Sequence, residues 1–120
     1  MDPVAIAGIL TLLLSAAHSI IGERLVFARL RLGGAWREEA LKLMEVRRWW
    51  SIRATWHLVT LFGIGWAVTL LLPPSSPFGF ATVMGVTFAV SAVYWAIATR
   101  FGHPAWIVLG VIGALLLIRI

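Results

Sequence analysis

Cysteine is absent from this 120-residue chain, so the sequence excludes disulfides, thiolate metal sites and cysteine nucleophiles. Acidic residues are scarce as well, and Asp2 is the single aspartate. Because a serine hydrolase commonly uses a buried aspartate to orient its histidine, we expect no hydrolase of that type. A glycine-rich phosphate loop is also lacking, since Gly33 and Gly34 stand alone. These absences favour a protein that is not an enzyme.

Charge of either sign is rare, whereas apolar residues dominate. Charged residues make up 12% of the chain and hydrophobic residues 61%. Soluble domains contain about 25% charged and about 45–50% apolar residues. The composition therefore predicts an all-α integral membrane protein in which residues 1–120 form a single membrane domain.

Four apolar stretches are present, and each is near the length that a membrane-spanning helix requires. A helix needs about 20 apolar residues to cross the hydrocarbon layer. The predicted spans cover residues 4–22, 54–72, 78–98 and 104–118. Small residues repeat at four-residue spacing on the last two spans, where they favour close helix packing: Ala81, Gly85, Ala89, Gly110 and Ala114. We expect a four-transmembrane-helix bundle.

Basic residues concentrate at one end of the predicted spans. Eight of them lie in or beside the first loop, and Arg100 lies in the third. Loops rich in Lys and Arg usually face the cytoplasm, so both termini should lie on the non-cytoplasmic side of a bacterial inner membrane. Attraction to lipid headgroups explains the basic balance, and we expect no nucleic-acid partner.

The long first loop contains a second structural signal. Residues 35–50 place Trp36, Leu43 and Trp50 on a broad apolar side, with charged residues on the remainder. This periodicity predicts an amphipathic cytoplasmic helix between the first and second spans. Such a helix suits either the membrane interface or a docking partner.

Three histidines lie near the same end of their spans. His18 is about one turn from the end of span one, His57 starts span two, and His103 precedes span four; Glu23 and Tyr94 lie at a similar depth. The set His18, His57, His103 and Glu23 is a candidate transition-metal site, and the three histidines are candidate ligands of haem or a chlorin pigment. A quinone-binding or proton-handling site is a further hypothesis. Structural histidines are the simplest alternative, because the interface tolerates them.

Three short motifs carry a family resemblance. They are residues 16–24 (AAHSIIGER), 56–60 (WHLVT) and 103–106 (HPAW). With these motifs the chain resembles small four-helix bacterial inner-membrane proteins. The resemblance implies the span count and a multi-pass location, and it implies no activity.

Two functional hypotheses follow from the sequence. The first is a small accessory or structural subunit of a larger membrane complex, with lipids, that complex or further copies of the chain as partners. The second is a redox protein that binds a metal, haem or pigment through His18, His57 and His103, with Glu23 as a further metal ligand. Co-purification with a larger assembly would support the accessory subunit, whereas a bound metal, haem or pigment would support the redox protein.

Overall fold

The structure is a computed structural model that describes residues 2–118. It is mainly helical, with six α-helices and one two-stranded hairpin in that part of the chain. The helices are α1 (Pro3–Ile21), α2 (Ala28–Leu30), α3 (Glu38–Leu43), α4 (Val46–Leu71), α5 (Phe80–Ala98) and α6 (Ala105–Ile118). Three helical segments are long and apolar enough to cross a membrane, namely Pro3–Leu30, α4 and α5. The fourth apolar helix, α6, is shorter at 14 residues.

The first helical segment starts with a side-chain cap and continues beyond the predicted span. The Val4 amide donates to the Asp2 carboxylate at 3.3 Å, and Pro3 occupies the first helical turn, where its missing N–H costs nothing. After Ile21 the chain forms a π-helical turn, Gly22–Phe27, and then α2. The 28 residues Pro3–Leu30 thus form one rod of about 42 Å.

The first loop differs from the single amphipathic helix predicted over residues 35–50. Strands β1 (Arg31–Leu32) and β2 (Ala35–Trp36) pair antiparallel around Gly33-Gly34. Both glycines have positive φ, +58° and +84°, as a two-residue hairpin turn of the primed type requires. The short α3 follows, and extended backbone at Met44 and Glu45 separates it from α4.

Burial of aromatic side chains accounts for that interruption. Phe27, Trp36, Ala40 and Trp49 form a buried cluster in which α3 folds back on the start of α4. The Trp49 indole N–H donates to the Ala40 carbonyl at 2.7 Å. A continuous helix over residues 35–50 would separate Ala40 from Trp49 by more than two turns, so tertiary packing overrides local periodicity here. Consequently α4 begins at Val46, eight residues before the predicted span.

The long helices lie in a row, and the row leaves both of its faces apolar. The main packing is α1 on α4, α4 on α5 and α5 on α6. The described residues give no extensive contact between α1 and α6, which a closed four-helix bundle would require. The principal dimensions, 53 × 34 × 19 Å, fit a layer one to two helices thick. Each interhelical seam is therefore reachable from a face of the layer.

Small residues permit the closest helix contact. A β-carbon at Gly113 would lie 2.8 Å from the Ala89 backbone nitrogen and 3.0 Å from the Gly85 carbonyl. At Gly110 the nearest atom, the Ala92 β-carbon, is 3.7 Å away. The α5 repeat thus packs internally as expected. On α6, however, Gly113 makes the tight contact, while Ala114 of the predicted repeat is exposed.

Candidate functional site

Polar side chains converge where α1 packs on α4, at the end that contains the first loop. Ser19 and Glu23 are four residues apart and share one face of the first helical segment. On α4, Arg53 and Thr60 lie on either side of His57, at helical spacings of four and three residues. Packing of α1 on α4 joins these five side chains, which we call the His57 network.

His57 is the centre of the network, because both ring nitrogens have a partner. Its Nε2 lies 2.5 Å from Glu23 Oε1, and its Nδ1 lies 2.7 Å from Ser19 Oγ. Ser19 Oγ lies 2.6 Å from Thr60 Oγ1. The result is a continuous hydrogen-bonded chain in the order carboxylate, imidazole, hydroxyl, hydroxyl.

The chemistry of the end group fixes the direction of the hydrogen bonds. An ionised Glu23 only accepts, so neutral His57 donates from Nε2 and accepts the Ser19 hydroxyl proton at Nδ1. Thr60 then donates to Ser19. When His57 is doubly protonated, Nδ1 donates to Ser19 and the two hydroxyls reverse. The network therefore satisfies His57 in both protonation states without movement of a heavy atom.

Glu23 links the network to a fixed positive charge. Its Oε1 also accepts a 2.6 Å hydrogen bond from Arg53 Nε. The Glu23 side chain keeps 35% of its area exposed, compared with 16% for His57. Both contacts use the same oxygen, so among the described residues Oε2 has no hydrogen-bond donor. Glu23 is thus the accessible end of the network.

His18 occupies a separate site beside the network. Its ring stacks on the Trp56 indole, with centroids 4.7 Å apart and planes 9° apart. The two residues exchange hydrogen bonds: His18 Nε2 donates to the Trp56 carbonyl at 3.1 Å, and Trp56 Nε1 donates to the His18 carbonyl at 3.0 Å. Gly22 lies directly under the indole, where a β-carbon would collide with it. His18 therefore fastens α1 to α4.

His103 lies elsewhere, at the start of α6. Its Nδ1 accepts the Ala105 amide proton at 3.2 Å, which caps the helix. Its ring meets the edge of Trp95 at 5.3 Å, and it shares an open cleft with Arg47 and Arg48. The contacts of His103 are with α5, α6 and the start of α4.

The structure joins two of the four residues that the sequence suggested as metal ligands. His57 and Glu23 are in contact, His18 binds backbone at Trp56, and His103 caps α6. Between residues 2 and 118, no group of three or more His, Asp or Glu side chains is close enough to hold a metal ion. The metal, haem or chlorin site stays a prediction from the sequence.

Three network members were not among the candidate site residues that the sequence suggested, namely Ser19, Arg53 and Thr60. Ser19, His57 and Glu23 share the connectivity of a catalytic triad, with a glutamate in the role usually given to aspartate. However, Ser19 lies within α1 and bonds to Thr60, and the amide of Gly22 is already used by the His18 and Ser19 carbonyls. The Gly22 amide is therefore not free to act as an oxyanion-hole donor. The arrangement suits proton transfer better than nucleophilic attack.

An apolar groove leads towards the network along the seam between α4 and α5. It has a volume of about 350 Å³, and its walls include Leu61, Ile64 and Val68 of α4 and Val83, Val86 and Val90 of α5. Leu61 and Ile64 lie four and seven residues after His57, so they lie on the same face of α4 as His57. On α5, Tyr94 follows Val90 by one turn, and its ring lies 6.4 Å from His57 at 88°. His57 and Tyr94 thus lie beyond one end of the groove.

Comparisons of the chain with protein-family models, curated proteins and solved structures found no match.

Proposed function

We propose that this protein binds a lipophilic ligand with a carbonyl or hydroxyl headgroup, such as a quinone or quinol, and that the His57 network hydrogen-bonds the headgroup and takes up or releases a proton as it binds. The observation that carries the proposal is the double engagement of the imidazole by Glu23 at 2.5 Å and Ser19 at 2.7 Å. An imidazole ring can carry one proton or two. Here Ser19 and Thr60 accommodate either state by rotating their hydroxyl protons.

An apolar groove that leads to the polar His57 network supports a ligand with an apolar tail and a polar head. The groove between α4 and α5 offers an apolar channel of about 350 Å³ for a tail, a volume within the usual range for ligand sites. The polar head would meet Tyr94, His57 and the free Oε2 of Glu23. A hydroxyl head can donate a hydrogen bond to the carboxylate, and a carbonyl head can accept one from Tyr94. A proton taken up as the head binds would reside on His57, whose two nitrogens keep their partners in either state.

A binding experiment with a decyl-tailed benzoquinone tests this function. Tryptophan fluorescence quenching of the full chain in mild detergent would report saturable binding. We expect His57→Gln to weaken binding by about tenfold, the equivalent of one lost hydrogen bond to a charged or polar group. His103→Gln is the matched control and should bind like the wild type.

A second measurement separates proton exchange from simple binding. A pH-sensitive dye in weakly buffered detergent should report proton uptake or release when the benzoquinone binds. Thr60→Val keeps the shape of the side chain but removes the last hydroxyl, so it should bind the quinone with a smaller proton signal. Equal binding in His57→Gln and wild type, with both proteins folded by circular dichroism, would rule the site out.

The membrane topology is part of the proposal. Arg100 lies beside Trp50, and Arg47 donates to the Gly102 carbonyl at 2.6 Å, so the first and third loops meet at one end. The positive-inside rule favours a cytoplasmic location for that end. With α6 as a fourth span, both termini would lie outside a bacterial inner membrane. At 14 residues, or about 21 Å, α6 would require local thinning of the bilayer.

A second candidate function, an accessory subunit of a larger membrane complex, is favoured by the open layer. The most apolar 18-residue window of the Pro3–Leu30 segment is only 11% buried, and α1 packs mainly on α4. A larger protein could cover this helix in place of lipid. Crosslinking in native membranes from a photoreactive residue at Leu14, which is 71% exposed, would yield a defined protein adduct if this function is right and lipid adducts alone if it is wrong.

A further inference from the structure

Three guanidinium groups gather around one indole at the loop end of the molecule. The Cζ atoms of Arg31 and Arg100 each lie 4.9 Å from the centroid of Trp50, and that of Arg53 lies 6.0 Å away. These arginines come from β1, the turn after α5, and α4. Segments distant in the sequence thus bring three like charges together, an arrangement that we call the Trp50 cluster.

The charges in the Trp50 cluster are not balanced by protein carboxylates. Glu23 neutralises Arg53 through the 2.6 Å contact described above. Among the described residues, no ion pair joins Arg31 or Arg100 to an acidic side chain. Burial, together with the charges of Arg53 and Arg100, lowers the pKa of Arg31. Cation–π contact with Trp50 offsets part of the repulsion, but two positive charges remain without an anion.

Buried donors in the same region lack acceptors. In the described chain, Arg31 Nε and Trp36 Nε1 are both buried without a hydrogen-bond partner. Trp36 is only 7% exposed, and its ring lies 5.4 Å from the Arg31 guanidinium. Buried donors of this kind are rare in native proteins and usually indicate a missing partner. An acceptor-rich anion would satisfy the requirement.

Arg100 lies in a turn with an unfavourable backbone conformation. Arg100 and Phe101 have φ of +52° and +58°, in the left-handed region that non-glycine residues rarely adopt. Two such residues in succession are unfavourable unless the surrounding structure fixes them. The turn directs Arg100 over Trp50 and along a cavity of about 470 Å³, which Trp36 and Gly34 also line. The geometry favours a bound group over a chance surface arrangement.

We propose that the Trp50 cluster binds a phosphate group, with Arg31 and Arg100 as its ligands, beside the ion pair of Arg53 with Glu23. Guanidinium groups match phosphate oxygens through paired charge-assisted hydrogen bonds. The phosphate belongs to either an anionic lipid headgroup or a soluble phosphate compound. The Trp50 cluster shares Arg53 with the His57 network. Its two proposed ligands are separate, because neither Arg31 nor Arg100 forms a hydrogen bond with His57, Ser19 or Thr60 in the described structure.

Native mass spectrometry and calorimetry of the full chain in mild detergent test the proposal. The probes are phosphatidylglycerol, zwitterionic phosphatidylcholine and inorganic phosphate. We expect saturable binding of phosphatidylglycerol, weakened about tenfold in Arg100→Gln and in Arg31→Gln. Arg29→Gln, which removes an exposed arginine next to the cluster, is the matched control and should bind like the wild type.

Competition between the probes identifies the source of the phosphate, and the variants test the site itself. Competition by inorganic phosphate would assign the site to a soluble phosphate compound, whereas binding of phosphatidylglycerol alone would assign it to a lipid headgroup. Equal losses in Arg29→Gln and Arg100→Gln would indicate diffuse attraction and overturn the site, as would the absence of saturable binding. Without an anion, Arg100→Gln should melt no lower than the wild type, because it relieves repulsion. A clear loss of thermal stability would instead indicate a purely structural arginine.

Discussion

Nε2 of His57 lies 2.5 Å from Oε1 of Glu23, across the seam that joins α1 to α4. The same carboxylate oxygen accepts from Arg53 at 2.6 Å. One acidic side chain thus ties the first helical segment to two successive turns of α4. The stability of this helix pair and the chemistry of the proposed site depend on the same group.

Glu23→Gln should destabilise the protein by about 1–3 kcal/mol, since an amide replaces the charged acceptor of two hydrogen bonds. Thermal unfolding in detergent, followed by circular dichroism, measures the change. Glu38→Gln provides the control, because Glu38 pairs with Lys42 at 3.5 Å on an exposed surface. That substitution should stay within about 0.5 kcal/mol. Equal effects of the two substitutions would contradict the role given to Glu23.

Gly113→Ala and Gly110→Ala should differ, although they lie on one helix. At Gly113 the new methyl group meets the α5 backbone at 2.8 Å, so overpacking should cost about 1–3 kcal/mol. At Gly110 the methyl group has room at 3.7 Å, and greater helix propensity should stabilise the protein by up to about 1 kcal/mol. Denaturant titration in detergent checks the difference. A more stable Gly113→Ala would show that α5 and α6 pack less closely than described.

Neutral His18 and neutral His57 should carry their protons on Nε2. The Trp56 carbonyl and the Glu23 carboxylate can only accept, and they face the Nε2 atoms of His18 and His57, respectively. Nitrogen NMR of histidine-labelled protein, recorded in a His103→Gln background to remove the third signal, identifies the tautomers. Protonation of His57 at Nδ1 in its neutral form would mean that Glu23 is not its hydrogen-bond acceptor.

The proposed topology predicts opposite labelling of two introduced cysteines, and the cysteine-free chain makes the experiment unambiguous. Ser75 lies between α4 and α5, and Glu39 lies on α3; both are exposed. In intact cells, a membrane-impermeant thiol reagent should label Ser75→Cys, whereas Glu39→Cys should react only after permeabilisation. The reverse pattern would invert the proposed orientation, and equal labelling would refute a membrane-spanning α4.

The apolar helices were predictable because their signals are local. Continuous apolar runs mark α5 and α6, whose observed starts lie within two residues of the predicted starts at 78 and 104. The first loop was not predictable in the same way. No residue at Met44 or Glu45 marks a helix break, and the break follows from burial of Trp49 against Ala40. Local patterns do not encode contacts of that kind.

The candidate site was predictable in part. The sequence placed His57 and Glu23 at a similar depth, and these two side chains are in contact, but depth alone does not fix the direction in which a side chain points around its helix. Helical spacing gives that direction. Glu23 lies four residues after Ser19, which faces His57, so the two share a face. It lies five residues after His18, which faces Trp56 instead. Applying helical spacing to hydroxyl as well as ionisable residues would have found Ser19.

The order in which the helices pack has a consequence for biosynthesis. Each long helix docks mainly on the next one along the chain, α1 on α4, then α4 on α5 and α5 on α6. A nascent chain can therefore complete each interface as soon as the next helix leaves the ribosome, without waiting for its C-terminus. Such local connectivity favours rapid assembly. The His57 network would then exist before α5 has been translated.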